Sequence, residues 1–188
     1  MTQAFEQTLA YGQMAESRIS RWLRSRGSHV LPVYDKEFDD GKKEGPRFFT
    51  SFAADVAAHR LIAPDMLVFG KQILWVEAKH KTRFSWHGKS RRFVTGIDCK
   101  CWEHYKSVAD LSHLPVWLMF LHSCAVTWPK DIEKWGAPAL CPTGLYGGWI
   151  ADLSVQYSHI DKRWGRSGMI YWAADGLKKL AELSDVPD

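Results

Sequence analysis

The chain has 188 residues, 46% of them hydrophobic, and a formal net charge of +4 at pH 7. That length has material for one domain with a sizeable core, and the lack of any apolar run of about 18 residues excludes a membrane-spanning helix. The mild basic excess leans towards an acidic partner.

Cys99, Cys101, Cys124 and Cys141 show neither disulfide-framework density nor paired C-x-x-C spacing. Together with an N-terminal stretch that lacks the charged start and apolar core of a signal peptide, they suit a reducing, cytoplasmic setting. Ten tryptophans is a high count; most suit the core or its rim, and some could stack on bases.

Residues 4–26 predict one amphipathic helix, with Phe5, Leu9, Gly12, Ala15, Ile19, Trp22 and Leu23 on one stripe and Gly27 as its stop. Glu16 lies inside that stripe, where a carboxylate is costly unless paired. It either reaches water or an arginine at the stripe edge, or serves a site. His29–Tyr34 predicts a first strand, and Pro32 marks it as an edge or an end. Residues 35–51 are polar and Gly-rich, a loop with a solvated surface. Residues 48–61 fit either a short helix or a bulged strand.

From Ala63 to Lys81 two apolar runs, Met66–Phe69 and Ile73–Val76, flank Gly70-Lys71-Gln72, which predicts a tight hairpin near the middle of a sheet. A three-residue turn sets Phe69 opposite Ile73, Leu67 opposite Trp75 and Asp65 opposite Glu77. Alternation puts Glu77 and Lys79 on one face and Ala78 on the other. Asp65, Glu77 and Lys79 therefore converge at one end of the hairpin. Facing carboxylates repel, and a divalent cation with a taste for oxygen would turn repulsion into coordination. The plainer reading is a strand-end Glu–Lys pair beside an aspartate that follows a proline.

Beyond Lys79 the chain is basic and polar, with Lys81, Arg83, Lys89, Arg91 and Arg92 interleaved with Phe84, Trp86 and Phe93. This predicts a loop, either merely solvated or in contact with phosphates. Thr95–Asp98 predicts a helix start with Asp98 as N-cap, and Cys101, Trp102, Tyr105, Val108 and Ala109 form that helix's apolar face. Tyr105 on that face reads as a core residue with a polar tip. Cys99, Cys101 and His104 lack a fourth zinc ligand at a recognisable spacing. Leu114–Leu121 predicts a buried strand that returns to the sheet.

Residues 123–148 predict mostly loop, Trp149–Val155 and Met169–Trp172 strands, and Asp175 the cap of a short helix bearing Leu177, Leu180 and Ala181. Gly144–Gly148 lacks the Lys-Ser/Thr of a phosphate-binding P-loop, and no nucleophile elbow is present.

Pro64-Asp65, eleven intervening residues and Glu77-Ala78-Lys79 resemble the PD-(D/E)xK nuclease superfamily, with its restriction-endonuclease-like fold that also serves Holliday junction resolvases. The resemblance covers about residues 5–122. It implies an α/β (α+β) fold with a central mixed sheet flanked by helices and core order α-β-β-β-α-β, within a single domain 1–188. Residues 123–188 would extend the sheet and decorate the substrate face.

The implied activity is metal-dependent hydrolysis of DNA, by an endonuclease, with a non-catalytic nucleic-acid-binding module as the alternative. Asp65, Glu77 and the Ala78 carbonyl would hold Mg²⁺, or Mn²⁺ in its place, with Glu16 from the first helix as a further ligand. Lys79 would complete the catalytic set, its pKa lowered by burial to suit base work. Lys81, Arg83, Lys89, Arg91, Arg92 and Lys100 would contact DNA. A junction-cutting enzyme would need a symmetric dimer, for which the apolar tail and surplus tryptophans offer surface.

Overall fold

A computed structural model describes residues 3–33, 47–49, 60–165 and 167–188. The chain opens with α1 (Gln3–Ser25). Of the expected stripe, Ala15, Ile19, Trp22 and Leu23 are buried. Gly27, at φ 83°, ends the helix. The amide of Gly27 donates to the Arg24 carbonyl at 3.0 Å and that of Ser28 to the Leu23 carbonyl at 3.2 Å, the bond pair of a Schellman cap.

Three antiparallel strands follow in the main sheet: β1 (His29–Pro32), then, after β2 (Arg47–Phe49) and β3 (Arg60–Ile62), β4 (Met66–Phe69) and β5 (Ile73–Lys81). β1 is the edge strand, as its proline suggests. The hairpin register is the expected one, Phe69 opposite Ile73 and Leu67 opposite Trp75. Residues 34–46 and 50–59, which include most of the expected loop and the ambiguous Phe52–Ala58 stretch, lie outside the described residues.

The basic stretch after Lys79 is not the expected loop. β5 runs on to Lys81, and β6 (Ser85–His87) and β7 (Arg92–Asp98) form a hairpin. Its apolar alternation is diluted by cations that sit in the turn, where Arg91 takes φ 52°. Thr95–Asp98 thus ends a strand, and α2 (Cys99–Ser112) begins one residue later, with Asp98 as the expected N-cap accepting from the Lys100 amide at 2.9 Å. β8 (Val116–His122) returns parallel to β5, the arrangement a helical crossover permits.

The C-terminal third departs further. Within residues 123–148 lie α3 (Pro129–Trp135) and β9 (Gly144–Trp149), the latter antiparallel to β8. The expected strand at Trp149–Val155 is a helix, α4 (Ile150–Gln156), because Ile150 and Leu153 at i, i+3 bury one face. β10 (His159–Asp161) and β11 (Met169–Ala173) follow. The expected helix around Leu177 is a strand, β12 (Lys178–Ala181), which pairs with β9; Asp175 lies in a single 3₁₀ turn before it.

The main sheet has the order β1-β4-β5-β8-β9-β12, mixed because β5 and β8 are parallel. A second, antiparallel sheet has the order β10-β11-β7-β6. α1 packs on the face carrying Val76, Ala78, Met119 and Leu121. α2 and the second sheet pack on the other, through Trp75, Trp102, Tyr105, Leu118, Phe120 and Trp172. The order α1, β1, β4, β5, α2, β8 is the expected α-β-β-β-α-β core order, with β2–β3 inserted after β1 and β6–β7 after β5.

Candidate active site

The central hairpin brings the motif residues together at its open end. Pairing runs to Met66 opposite Val76, and the next residues outward are Asp65 and Glu77. Asp65 Oδ2 accepts from the Ala78 amide at 2.9 Å, which anchors that carboxylate against β5. Glu77 is only 2% exposed. Its Oε1 accepts the Tyr105 hydroxyl at 2.6 Å and also pairs with the Lys79 ammonium. That ammonium lies 6.0 Å from the centre of the Tyr105 ring.

Burial pushes the Glu77 carboxyl up to about 7, and the Asp65 charge adds to the rise, against the opposing pull of Lys79 and Tyr105. For Lys79 burial works downwards, but the Glu77 and Asp65 charges outweigh it and hold the ammonium above its ordinary value. The expected lowering of the Lys79 pKa is therefore reversed, because the lysine is buried with a carboxylate partner and not alone. Lys79 stays a cation here. Tyr105 is likewise raised well above its ordinary value, by burial first and then by Glu77.

Lys81 follows on the same face of β5, half-buried. Burial and then the Lys79 charge lower its pKa to about 8. It stands beside His122 of β8 in the parallel register. His122 is fully buried, stacks on Phe84 at 3.6 Å, and has no hydrogen-bond partner on either ring nitrogen among the described residues. Burial holds its pKa down to about 3, so it is a neutral, core imidazole.

Glu16 is half-buried on α1, between Ala15 and Ile19, which pack on the Ala78 face of the sheet. Among the described residues no three His, Cys, Asp or Glu side chains form a group able to hold a metal. Cys99, Cys101, Cys124 and Cys141 are free thiols. Of the candidate DNA contacts, Lys89 and Arg91 are exposed in the β6–β7 turn and Lys100 is exposed on the first turn of α2. Arg92 pairs with Asp175 at 3.0 Å, and Arg83 donates to the Val126 carbonyl at 2.6 Å.

Sequence reasoning treats Tyr105 as core and passes over His122. Tyr105 is both core and site, 2% exposed and aimed at Glu77. Alternation from Leu118 through Phe120 was the available signal that His122 shares a face with Lys81.

The fold and site define a mixed-sheet α/β protein with two neighbouring carboxylates and a paired lysine at the end of its central hairpin. Its chain path is similar to that of the solved Holliday junction resolvase Hjc of Archaeoglobus fulgidus, at 8% identity over 88% of this chain and 90% of that one, with a TM-score of 0.46. No family model and no curated protein matches the sequence. No helix among the described residues is long and apolar enough to cross a membrane.

Proposed function

We propose that this protein is a divalent-metal-dependent nuclease that cuts phosphodiester bonds within DNA. The observation that supports it is the buried Glu77 carboxylate, 2% exposed and held by Tyr105 and Lys79, with Asp65 fixed next to it by the Ala78 amide. Two carboxylates together at a buried strand end repel, and a bound cation would relieve that repulsion. Hard oxygen donors of this kind fit Mg²⁺, or Mn²⁺ in its place. Asp65, Glu77 and the Ala78 carbonyl would hold the ion, with Glu16 as a water positioner and not as a third carboxylate ligand, since the three form no metal-holding group among the described residues. When bound, such an ion polarises the scissile phosphate and lowers the pKa of a coordinated water.

The chain's own groups divide the remaining work. The Ala78 amide fixes Asp65 and the Tyr105 hydroxyl fixes Glu77, so neither carboxylate has to be ordered when substrate arrives. Lys79, kept protonated by its neighbours, orients the attacking water and offsets the charge that develops on the phosphate oxygens. Lys81, Arg83, Lys89, Arg91, Arg92 and Lys100 contact backbone phosphates, which gives affinity without sequence readout. A single domain spanning 1–188, a cytoplasmic setting and a homodimer for two-strand substrates complete the proposal.

The test is cleavage of labelled single strand, duplex, flap and four-way junction with Mg²⁺, Mn²⁺ or EDTA, beside Lys79→Ala. Metal-dependent cutting that the variant lacks is the expected result. DNA bound but never cut under either metal would instead establish a binding module on the same fold.

A further inference from the structure

We propose that Trp128 and Trp135, at the two ends of α3, form a stacking platform for unpaired nucleotides of the substrate. The inference rests on the nuclease reading and names its substrate class, DNA with a single-stranded segment beside the cut.

Trp75, Trp102 and Trp172 are buried in the core, whereas Trp128 and Trp135 are 41% and 49% exposed. Each exposed ring is attended by cations. The Arg83 guanidinium lies 4.1 Å from the centre of Trp128 and the Lys130 ammonium 5.9 Å, while the Lys134 ammonium lies 5.0 Å from the centre of Trp135. Rings flanked by Arg and Lys are the chemistry that binds single strands: the π-face takes any base, and the cation takes the phosphate.

Neither ring is loosely held. Arg83 is fixed by its 2.6 Å bond to the Val126 carbonyl, which sets the guanidinium over Trp128. Trp135 lies on Gly88 of the β6–β7 turn, where a Cβ would come within 2.6 Å of its ring. Only glycine allows that seat. Two pre-set aromatic faces lose little conformational freedom on binding.

The platform is tied to the end of the active-site strand. Thr82, just past β5, accepts at its carbonyl from the Ser123 and Cys124 amides at 3.2 and 2.7 Å. This pins the segment leading to Trp128 against the end of that strand. Glu77, Lys79 and Lys81 alternate along one face of β5, and Arg83 comes two residues later. Arg83 lies two residues past the end of β5, so the chain keeps it within about 14 Å of Lys79.

Asp131 and Glu133 also lie on α3, but the Asp131 carboxylate turns towards β6 and accepts from the Trp86 amide at 3.5 Å. Lys89 and Arg91 add exposed cations on the adjoining turn. Paired bases in a duplex stack on one another and offer edges, so an indole face selects the unpaired ones.

Fluorescence anisotropy with labelled oligothymidine and a duplex of matched length, in EDTA so that neither is cut, tests the platform. Trp128→Ala is expected to weaken oligothymidine binding about 10-fold while duplex binding changes less than about 2-fold, and Trp128→Phe to stay within about 3-fold of wild type. Trp135→Ala tests the second ring, with circular dichroism to show that the Gly88 seat is not needed for folding. Oligothymidine binding unchanged in Trp128→Ala, or an equal loss for duplex and single strand, overturns the platform. Duplex cleavage by Trp128→Ala in Mg²⁺ reports on the nuclease separately. Cutting with oligothymidine binding unchanged rejects the platform alone, and a wild type that cuts nothing rejects the nuclease alone.

Discussion

The Tyr105 hydroxyl of α2 donates to Glu77 Oε1 at 2.6 Å, and the Lys79 ammonium pairs with the same oxygen. One carboxylate oxygen is thus held from a helix and from its own strand at once. Hydrogen bonds to charged groups contribute about 1.5–3 kcal/mol when buried. Tyr105→Phe keeps the ring and its packing and removes only the donor. Urea unfolding at pH 8 should show a loss of about 1.5 kcal/mol. Cleavage should fall about 10-fold, as for other partners that orient metal-binding carboxylates. A variant as stable and as active as wild type would show that the hydroxyl is incidental.

Asp65 acts on Glu77 through its charge, and on the strand through the 2.9 Å bond from the Ala78 amide. Asp65→Asn keeps an oxygen to accept that amide and removes the charge. The Glu77 carboxyl should then titrate below the value of about 7 that it has beside Asp65. Carbon-13 NMR of the glutamate carboxyls measures this directly. The variant should also lose the rise in Tm that Mg²⁺ gives the wild type, because a ligand that binds only the folded state stabilises it. An unshifted Glu77 titration would mean that burial alone sets its pKa.

Much of this site could be read in the sequence because a hairpin is local. Turn length and period-2 alternation suffice to bring Asp65, Glu77 and Lys79 together, and the register is the expected one. The partner of Glu77 was less legible, since Tyr105 reaches it across 28 positions of chain. A tyrosine on an apolar helix face reads first as packing. The β6–β7 hairpin was obscured by its own cations, which resemble solvated loop until Phe93, Val94 and Ile97 are placed against the core. β12 and α4 were exchanged in type for a similar reason. Short apolar runs carry no decisive period, and it is the free edge of β9 that makes Lys178–Ala181 a strand. The Trp135–Gly88 seat has no sequence signature, because glycine's role there depends on an indole 47 positions away.

Without metal, Glu77 should take stability away as pH rises through the window in which most carboxylates add to it. The Glu77 carboxyl rises from 4.5 to about 7 on folding. At this site the native state therefore binds more protons than the unfolded chain between those values, and the Glu77 contribution to stability falls with pH there. The cost is absent below about 4.5 and complete above about 7, with an upper bound of about 3 kcal/mol at about 1.36 kcal/mol per unit. The Lys79 pKa is raised, so its contribution is constant over that window. His122, held down to about 3 in the fold, acts in the opposite sense up to about 6.5, so the Glu77 cost is read as a difference between variants. In EDTA the stability of Glu77→Gln relative to wild type should grow from pH 4.5 to 8, and a difference that stays constant over that range would contradict the repulsion assigned to this pair.

DNA affinity should in turn depend on pH through Lys81. Its pKa is lowered to about 8 by burial and by the Lys79 charge, whereas Lys79 itself is held high by Glu77. A phosphate is bound by the protonated amine only. Affinity is therefore complete below about 8 and declines above it, by up to about tenfold per pH unit until the amine's pKa in the complex is passed. Lys81→Arg should abolish the decline, because a guanidinium stays charged throughout this range. Lys81→Ala should weaken binding at pH 7 and reduce the slope of log affinity against log salt by about 0.9 on duplex DNA. Anisotropy titrations from pH 7 to 9.5 in EDTA distinguish these cases. An affinity that is flat in wild type over that range would remove Lys81 from the DNA-contacting surface, and the lowered amine would then be only a consequence of its place beside His122 and Phe84 in the core.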